Sequence, residues 1–279
     1  MSSNKHHTFQ DYIYSTYSNK NSGTAASYLK AIQILDELFQ IKDIFNLKGR
    51  SLSEIKDPYL IERIIDYIAE EEDKYRHGEI SLFDLGKSTQ TSYPRKRFCT
   101  AAIRRLGEFV NLICCEDATD IMRSSTHKGS KLSSDLLKRF NINDKGTDKE
   151  IRAKRRVGQN IFRAMLLEIY DAKCCITGID IPEVLRASHI VPWTECIDTR
   201  LNPENGLCLS ATYDAAFDKH LITFDEDYRL VLSPVLKEEY TSEAFKTHFL
   251  KYEGTTIVLP SMFKPSQDYL SKHRAKLIV

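Results

Sequence analysis

Apolar positions fall at helical spacing through the first half of the chain, and the pattern then changes. Between Thr24 and Phe39, residues Tyr28, Leu29, Ile32, Leu35 and Phe39 recur three and four positions apart. That spacing puts them on one helix face, with Thr24 as the expected N-cap. A second helix is expected over 58–75: Pro58 opens it, and Leu60, Ile61, Ile64, Ile65 and Ile68 make its stripe. A third is expected over 97–115 on Phe98, Ala101, Ala102, Leu106, Phe109, Val110 and Ile113. Together they predict a helical domain over 1–123. From Ser124 to Lys149 the chain is rich in Ser, Lys, Asp, Asn and Gly, with apolar spots only at Leu136, Leu137 and Phe140. The stretch 124–150 therefore reads as a linker. No internal repeat is seen.

The second half mixes periods. Phe162, Met165, Leu166 and Ile169 predict a helix over 158–170. Residues 183–191 and 205–210 read as short extended runs around a long loop, and 212–219 as a helix. Leu221–Phe224 and Tyr228–Leu232 form a hairpin over the acidic turn Asp225-Glu226-Asp227, which is expected to be exposed. Residues 240–279 read as a helical and extended wrap. The predicted class is α+β, with a second domain over 151–279.

Composition narrows the function. With 279 residues, 42% of them apolar, the chain can hold one large or two modest cores. No window approaches the roughly 20 apolar residues of a membrane span. The start, Met1 to Gln10, is polar and carries His6 and His7, so no signal peptide is expected there. A net charge of +1 means that contact with nucleic acid must come from local patches. The seven cysteines include two adjacent pairs and no Cys-x-x-Cys, which argues against a disulfide framework and for a reducing, cytoplasmic setting. The same spacing argues against a structural zinc site, and Cys174 reads as a small buried residue.

The chemistry concentrates between Ala187 and Asp225. His189 ends an extended run, and Asn205-Gly206 follows in a loop. Asp214 and Asp218, at i and i+4, share one helix face and can grip one hard cation. A neutral histidine can take the proton of an attacking water, and one divalent ion can stabilise the charge that phosphodiester hydrolysis develops. The plainer alternatives are a core histidine, a turn asparagine and solvated helix acids.

Ala187-Ser188-His189-Ile190-x-Pro192, Asn205-Gly206-Leu207 and Asp214-x-x-x-Asp218, preceded by Cys174 and Ile176-Thr177-Gly178, resemble the HNH endonuclease family. The resemblance spans about Arg155 to Pro234. It implies a ββα-metal nuclease module after the helical domain, with His189 as general base, Asn205 orienting it, and Asp214 and Asp218 holding Mg²⁺ or Mn²⁺. Two departures stand out. Ser188 occupies a place where the family often has a metal-binding Asp or His. The third His of the motif is replaced by Tyr213 and Asp214, either of which could stand for it. Arg156-x-Gly158-Gln159-x-x-Phe162-Arg163 is similar to the helix preceding HNH modules of bacterial restriction-type proteins, which implies a restriction or phage-defence nuclease.

Basic residues supply the expected DNA contacts. Arg155, Arg156 and Arg163 lie next to the module in sequence, and Arg156 and Arg163 share one helical side. Double-stranded DNA is the expected partner. A homodimer is one way for a site that cuts one strand to cut two.

Overall fold

The computed structural model describes residues 8–17, 23–85 and 91–278. His6 and His7, and most of the polar N-terminal run, lie outside the described residues. The chain divides into two units, Met1–Cys114 and Cys115–Val279.

The first unit is helical: α1 (Phe9–Thr16), α2 (Thr24–Ile41), α3 (Pro58–Arg76), α4 (Ser92–Arg95) and the first part of α5 (Phe98–Ser124). Its core is the expected apolar stripe, with Ile32, Leu35, Ile61, Ile64, Ile68, Ala102 and Leu106 all buried. Helix α2 starts on Gly23, which sits in the left-handed region at φ 63°; Thr24 is its first helical residue rather than its cap. Asp57 caps α3 by accepting from the amides of Tyr59 and Leu60, with Pro58 in the first turn. Buried Glu72 accepts from the amides of Cys99 and Thr100 and so closes the start of α5. Helix α5 continues nine residues beyond the expected end at 115, because Ala118 and Met122 keep its buried stripe going between acidic positions.

The second unit opens with the rest of α5, followed by α6 (Gly129–Arg139) and α7 (Asp148–Ile169). Helix α6 lies in the stretch expected to be a linker. Leu132, Ser133 and Leu136 are fully buried along it, so this stretch is packed chain and not a spacer. Helix α7 begins ten residues before the expected start. A capping box sets that boundary: Thr147 Oγ1 accepts from the Glu150 amide, and the Glu150 carboxylate accepts from the Thr147 amide at 2.8 Å.

Next come β1 (Leu185–His189) and β2 (Gly206–Ser210), an antiparallel pair in which His189 faces Gly206 and Ser188 faces Leu207. Helix α8 (Ala211–Asp218) follows β2 directly and completes a ββα unit. Strands β3 (Ile222–Phe224) and β4 (Leu230–Leu232) form the expected hairpin. Helix α9 (Pro234–Glu239) follows the hairpin, and α10 (Glu243–His248) and α11 (Gln267–Arg274) lie in the wrap expected over 240–279. The architecture is α+β, as expected. Among the described residues no helix is long and apolar enough to cross a membrane.

Helix α7 is the floor under the ββα unit. Val157, Ile161, Phe162, Met165 and Leu166 are buried on the side that meets β1 and β2. Gly206 is required at this contact: a Cβ there would come within 2.5 Å of Leu166 Cδ1 and 2.7 Å of Phe162 Cζ.

Candidate functional site

A cleft of about 420 Å³ opens between α7, β1 and α8. His189, Asp214 and Asp218 all line it, as do Arg163, Ser188 and Trp193. The ββα connection thus brings residues far apart in sequence to one place.

His189 ends β1, half-buried. Its Nε2 lies 3.0 Å from the carbonyl oxygen of Arg200. A carbonyl only accepts, so Nε2 carries the proton and Nδ1 of the neutral ring keeps its lone pair. One face of the imidazole stacks on Phe162 and its edge meets Trp193. Burial, opposed by the hydrogen bond to the Arg200 carbonyl, pushes its pKa down to about 4, so the ring is neutral at ordinary pH.

Asn205 is fully buried and its side chain is saturated. Oδ1 accepts from the Val191 amide at 2.8 Å, while Nδ2 donates to the carbonyls of Val191 (3.0 Å) and Thr199 (3.2 Å). None of these bonds goes to the imidazole. Asn205 ties the chain just after His189 to the chain just before Arg200, whose carbonyl holds the ring.

Asp214 and Asp218 project from α8 one turn apart. Ser188 Oγ donates to Asp214 Oδ1 and fixes that carboxylate. The Asp218 carboxyl is pushed above its usual range, first by desolvation and then by the neighbouring Asp214 charge. Two carboxylates facing one cleft, with the charge of one felt by the other, fit a hard divalent cation. Among the described residues no group of three or more His, Cys, Asp or Glu side chains converges on one point. The pair suits an ion that keeps several waters and suits a four-ligand zinc site poorly. Tyr213 is not part of this set. It is buried, and its hydroxyl donates to the His248 carbonyl on the side of the wrap.

The expected basic residues divide. Arg163 lines the cleft, with Nη1 donating to the Leu185 carbonyl (2.7 Å) and Nη2 to that of Pro182 (2.6 Å), so it also props β1. Arg155 and Arg156 are exposed on α7, one and two turns before the cleft residues Gln159, Asn160 and Arg163. Sequence reasoning missed Arg186. It lines the cleft two residues before Ser188, on the same face of β1, and that alternation was the available signal. It also missed Arg200, for which no sequence signal exists. The Arg200 guanidinium holds the Asp144 carboxyl below the usual carboxylate range.

The HNH endonuclease family model matches residues 174–225. Residues 174–225 are an HNH module. The match includes His189, Asn205, Asp214 and Asp218, and it ends inside the hairpin. A comparison with curated proteins finds no match to the chain. The HNH module points to nuclease activity, hence to a nucleic-acid substrate, and HNH nucleases generally use divalent metals. Helix α7, Arg163 and the wrap lie outside the matched residues.

Proposed function

We propose that the protein is a divalent-metal-dependent DNA endonuclease. The observation that carries this reading is the shared cleft: a neutral imidazole with one nitrogen fixed on the Arg200 carbonyl, beside two carboxylates one helix turn apart. His189 Nδ1 takes the proton of the attacking water. Asp214 and Asp218 hold Mg²⁺ or Mn²⁺, with Ser188 keeping Asp214 in place. When bound, the cation supplies charge stabilisation to the phosphorane-like transition state and to the leaving oxygen. Arg163 and Arg186 receive the scissile phosphate, and Arg155 and Arg156 extend the basic track along α7. The substrate is double-stranded DNA. The first unit supplies target recognition or self-association, and two copies or two events cut both strands. A role in restriction or phage defence rests on the likeness of the α7 motif to restriction-type HNH proteins.

Ser188 in the place of a metal-binding Asp or His, and Tyr213-Asp214 in the place of the motif's third His, favour a second reading: a DNA- or effector-binding protein whose HNH module no longer cuts. One experiment separates the two. Full-length protein is incubated with supercoiled plasmid, modified and unmodified, and with Mg²⁺, Mn²⁺, Zn²⁺ or chelator. Metal-dependent nicking that disappears with chelator supports the nuclease. DNA retardation with no cleavage under any metal supports the binding protein. Cleavage of RNA in preference to DNA would overturn the choice of substrate.

A further inference from the structure

The carbonyl that orients His189 belongs to a turn held from outside the HNH match. Arg200 is buried, at 8% side-chain exposure, although it carries a charge. Its Nε donates to the Trp193 carbonyl at 2.9 Å, and its guanidinium lies 5.0 Å from the centre of the Trp193 ring. Nη1 and Nη2 form a two-pronged pair with Asp144 Oδ1 and Oδ2 at 2.7 and 3.0 Å. One residue on, the Leu201 amide donates to Ser133 Oγ at 3.2 Å, and Ser133 is fully buried on α6. Asp144 sits in a pinned segment: Lys154 Nζ donates to Asn143 Oδ1 at 2.9 Å and to the Lys145 carbonyl at 2.6 Å.

The Arg200 carbonyl thus has little freedom. Its own side chain, the next amide and, through Thr199, the Asn205 side chain all hold the turn that carries it. His189 depends on that carbonyl for its tautomer and ring angle, and an oriented base is sensitive to small displacements. We propose that Asp144 and Ser133 are positioning residues for His189, acting through the Arg200 carbonyl, so that the polar stretch 129–147 is an integral part of the nuclease site. This inference rests on the reading of His189 as the base.

The test uses full-length Asp144→Asn, Asp144→Glu and Ser133→Ala. Two quantities are measured well below the melting temperature: steady-state plasmid cleavage with Mn²⁺, and the ¹⁵N signals of the His189 ring, assigned by their loss in His189→Ala. In the wild type the ring signals are those of the Nε2-protonated tautomer. For Asp144→Asn the expected result is a mixed tautomer and a fall in kcat of about 10-fold or more, with KM within twofold, as loss of an outer hydrogen-bond partner typically costs. Asp144→Glu recovers most of the rate, and Ser133→Ala moves both readouts in the same direction by less. A folded Asp144→Asn with wild-type ring signals and kcat overturns the proposal, as does a change confined to KM. Should Asp144→Asn fail to fold, the other two variants decide on the same readouts. Should the wild type cut nothing, the nuclease reading fails, while the ring signals still decide whether Asp144 and Ser133 position His189.

Discussion

Phe162 lies flat against His189, with ring centroids 3.7 Å apart and planes inclined by 14°. Phe162 is itself buried on α7, so the floor helix fixes one face of the imidazole while the Arg200 carbonyl fixes its Nε2. The stack keeps water from that face and favours the neutral ring. A rigid, neutral imidazole beside a pair of carboxylates is the arrangement on which the nuclease reading stands.

Removing the imidazole should stop the chemistry and leave the rest. His189→Ala is expected to lower plasmid cleavage by about 100-fold or more, since loss of a general base typically costs 10²–10⁴. Retardation of DNA in gels should persist at near wild-type concentrations. Cleavage at the wild-type rate would make His189 a core histidine and nothing more.

The α8 carboxylates should carry the metal. Asp214→Ala and Asp218→Ala are each expected to abolish metal-dependent cleavage and the Mn²⁺ binding heat seen by calorimetry. Mg²⁺ or Mn²⁺ should support the wild type better than Zn²⁺. Ser188→Ala should weaken Mn²⁺ binding by less, because it loosens Asp214 without removing it. Wild-type Mn²⁺ binding in both Asp variants would rule out α8 as the ligand source.

The basic track should be read out by salt. Replacing Arg155, Arg156 and Arg163 together by Gln should weaken DNA binding alike for all sequences. It should also flatten the dependence of log K on log salt by about 0.9 for each phosphate that is no longer neutralised. Because Arg163 also donates to the Leu185 and Pro182 carbonyls, its single variant should lower the melting temperature as well. An unchanged salt slope in the triple variant would remove α7 from the DNA interface.

What the sequence revealed and what it hid follow from the range of the interactions. The helical stripes of the first unit are local patterns, so Ile32, Ile61 and Leu106 could be placed from spacing alone. The His189, Asn205 and Asp214/Asp218 set was legible because motif residues keep their order along the chain. Helix α6 was not legible: its buried face is carried by Leu132, Ser133, Leu136 and Leu137 amid polar neighbours, a stripe narrow enough to resemble a linker. The early start of α7 had a signal, Thr147-x-x-Glu150, that the apolar period alone did not use. The Arg200 to Asp144 pair spans 56 positions and leaves no trace in spacing.

Gly206 should be intolerant of any side chain. A methyl there would collide with Leu166 and with the Phe162 ring on which His189 rests. Gly206→Ala is expected to destabilise the second unit by about 1–3 kcal/mol, the usual cost of overpacking a core. Cleavage should fall by more than the unfolded fraction explains, because the base loses its support. Denaturant melts alongside cleavage rates check both. A variant with wild-type stability and rate would show that α7 can move away without cost to the site.

Acid should destabilise the fold through the buried His273. His273 on α11 stacks on Phe217 of α8 with centroids 3.7 Å apart, while Nε2 lies 3.0 Å from the Phe217 carbonyl and Nδ1 3.0 Å from Thr223 Oγ1. The neutral ring satisfies both, donating to the carbonyl and accepting from the hydroxyl. Burial above all pushes the pKa of His273 down to about 4, against roughly 6.5 in the unfolded chain. Above pH 6.5 the ring is neutral in both states and contributes no pH dependence. Between pH 6.5 and 4 the unfolded chain binds the proton and the folded one does not, so stability falls as pH falls. Below pH 4 both are protonated and the slope from this group vanishes. The expected contribution is roughly 1.4 kcal/mol for each pH unit inside that window. His273→Gln cannot titrate, so the stability difference between wild type and variant should narrow by that slope as the pH is lowered from 6.5 towards 4. A difference that stays constant across the window would mean that His273 takes up its proton in the folded protein as readily as in the unfolded chain.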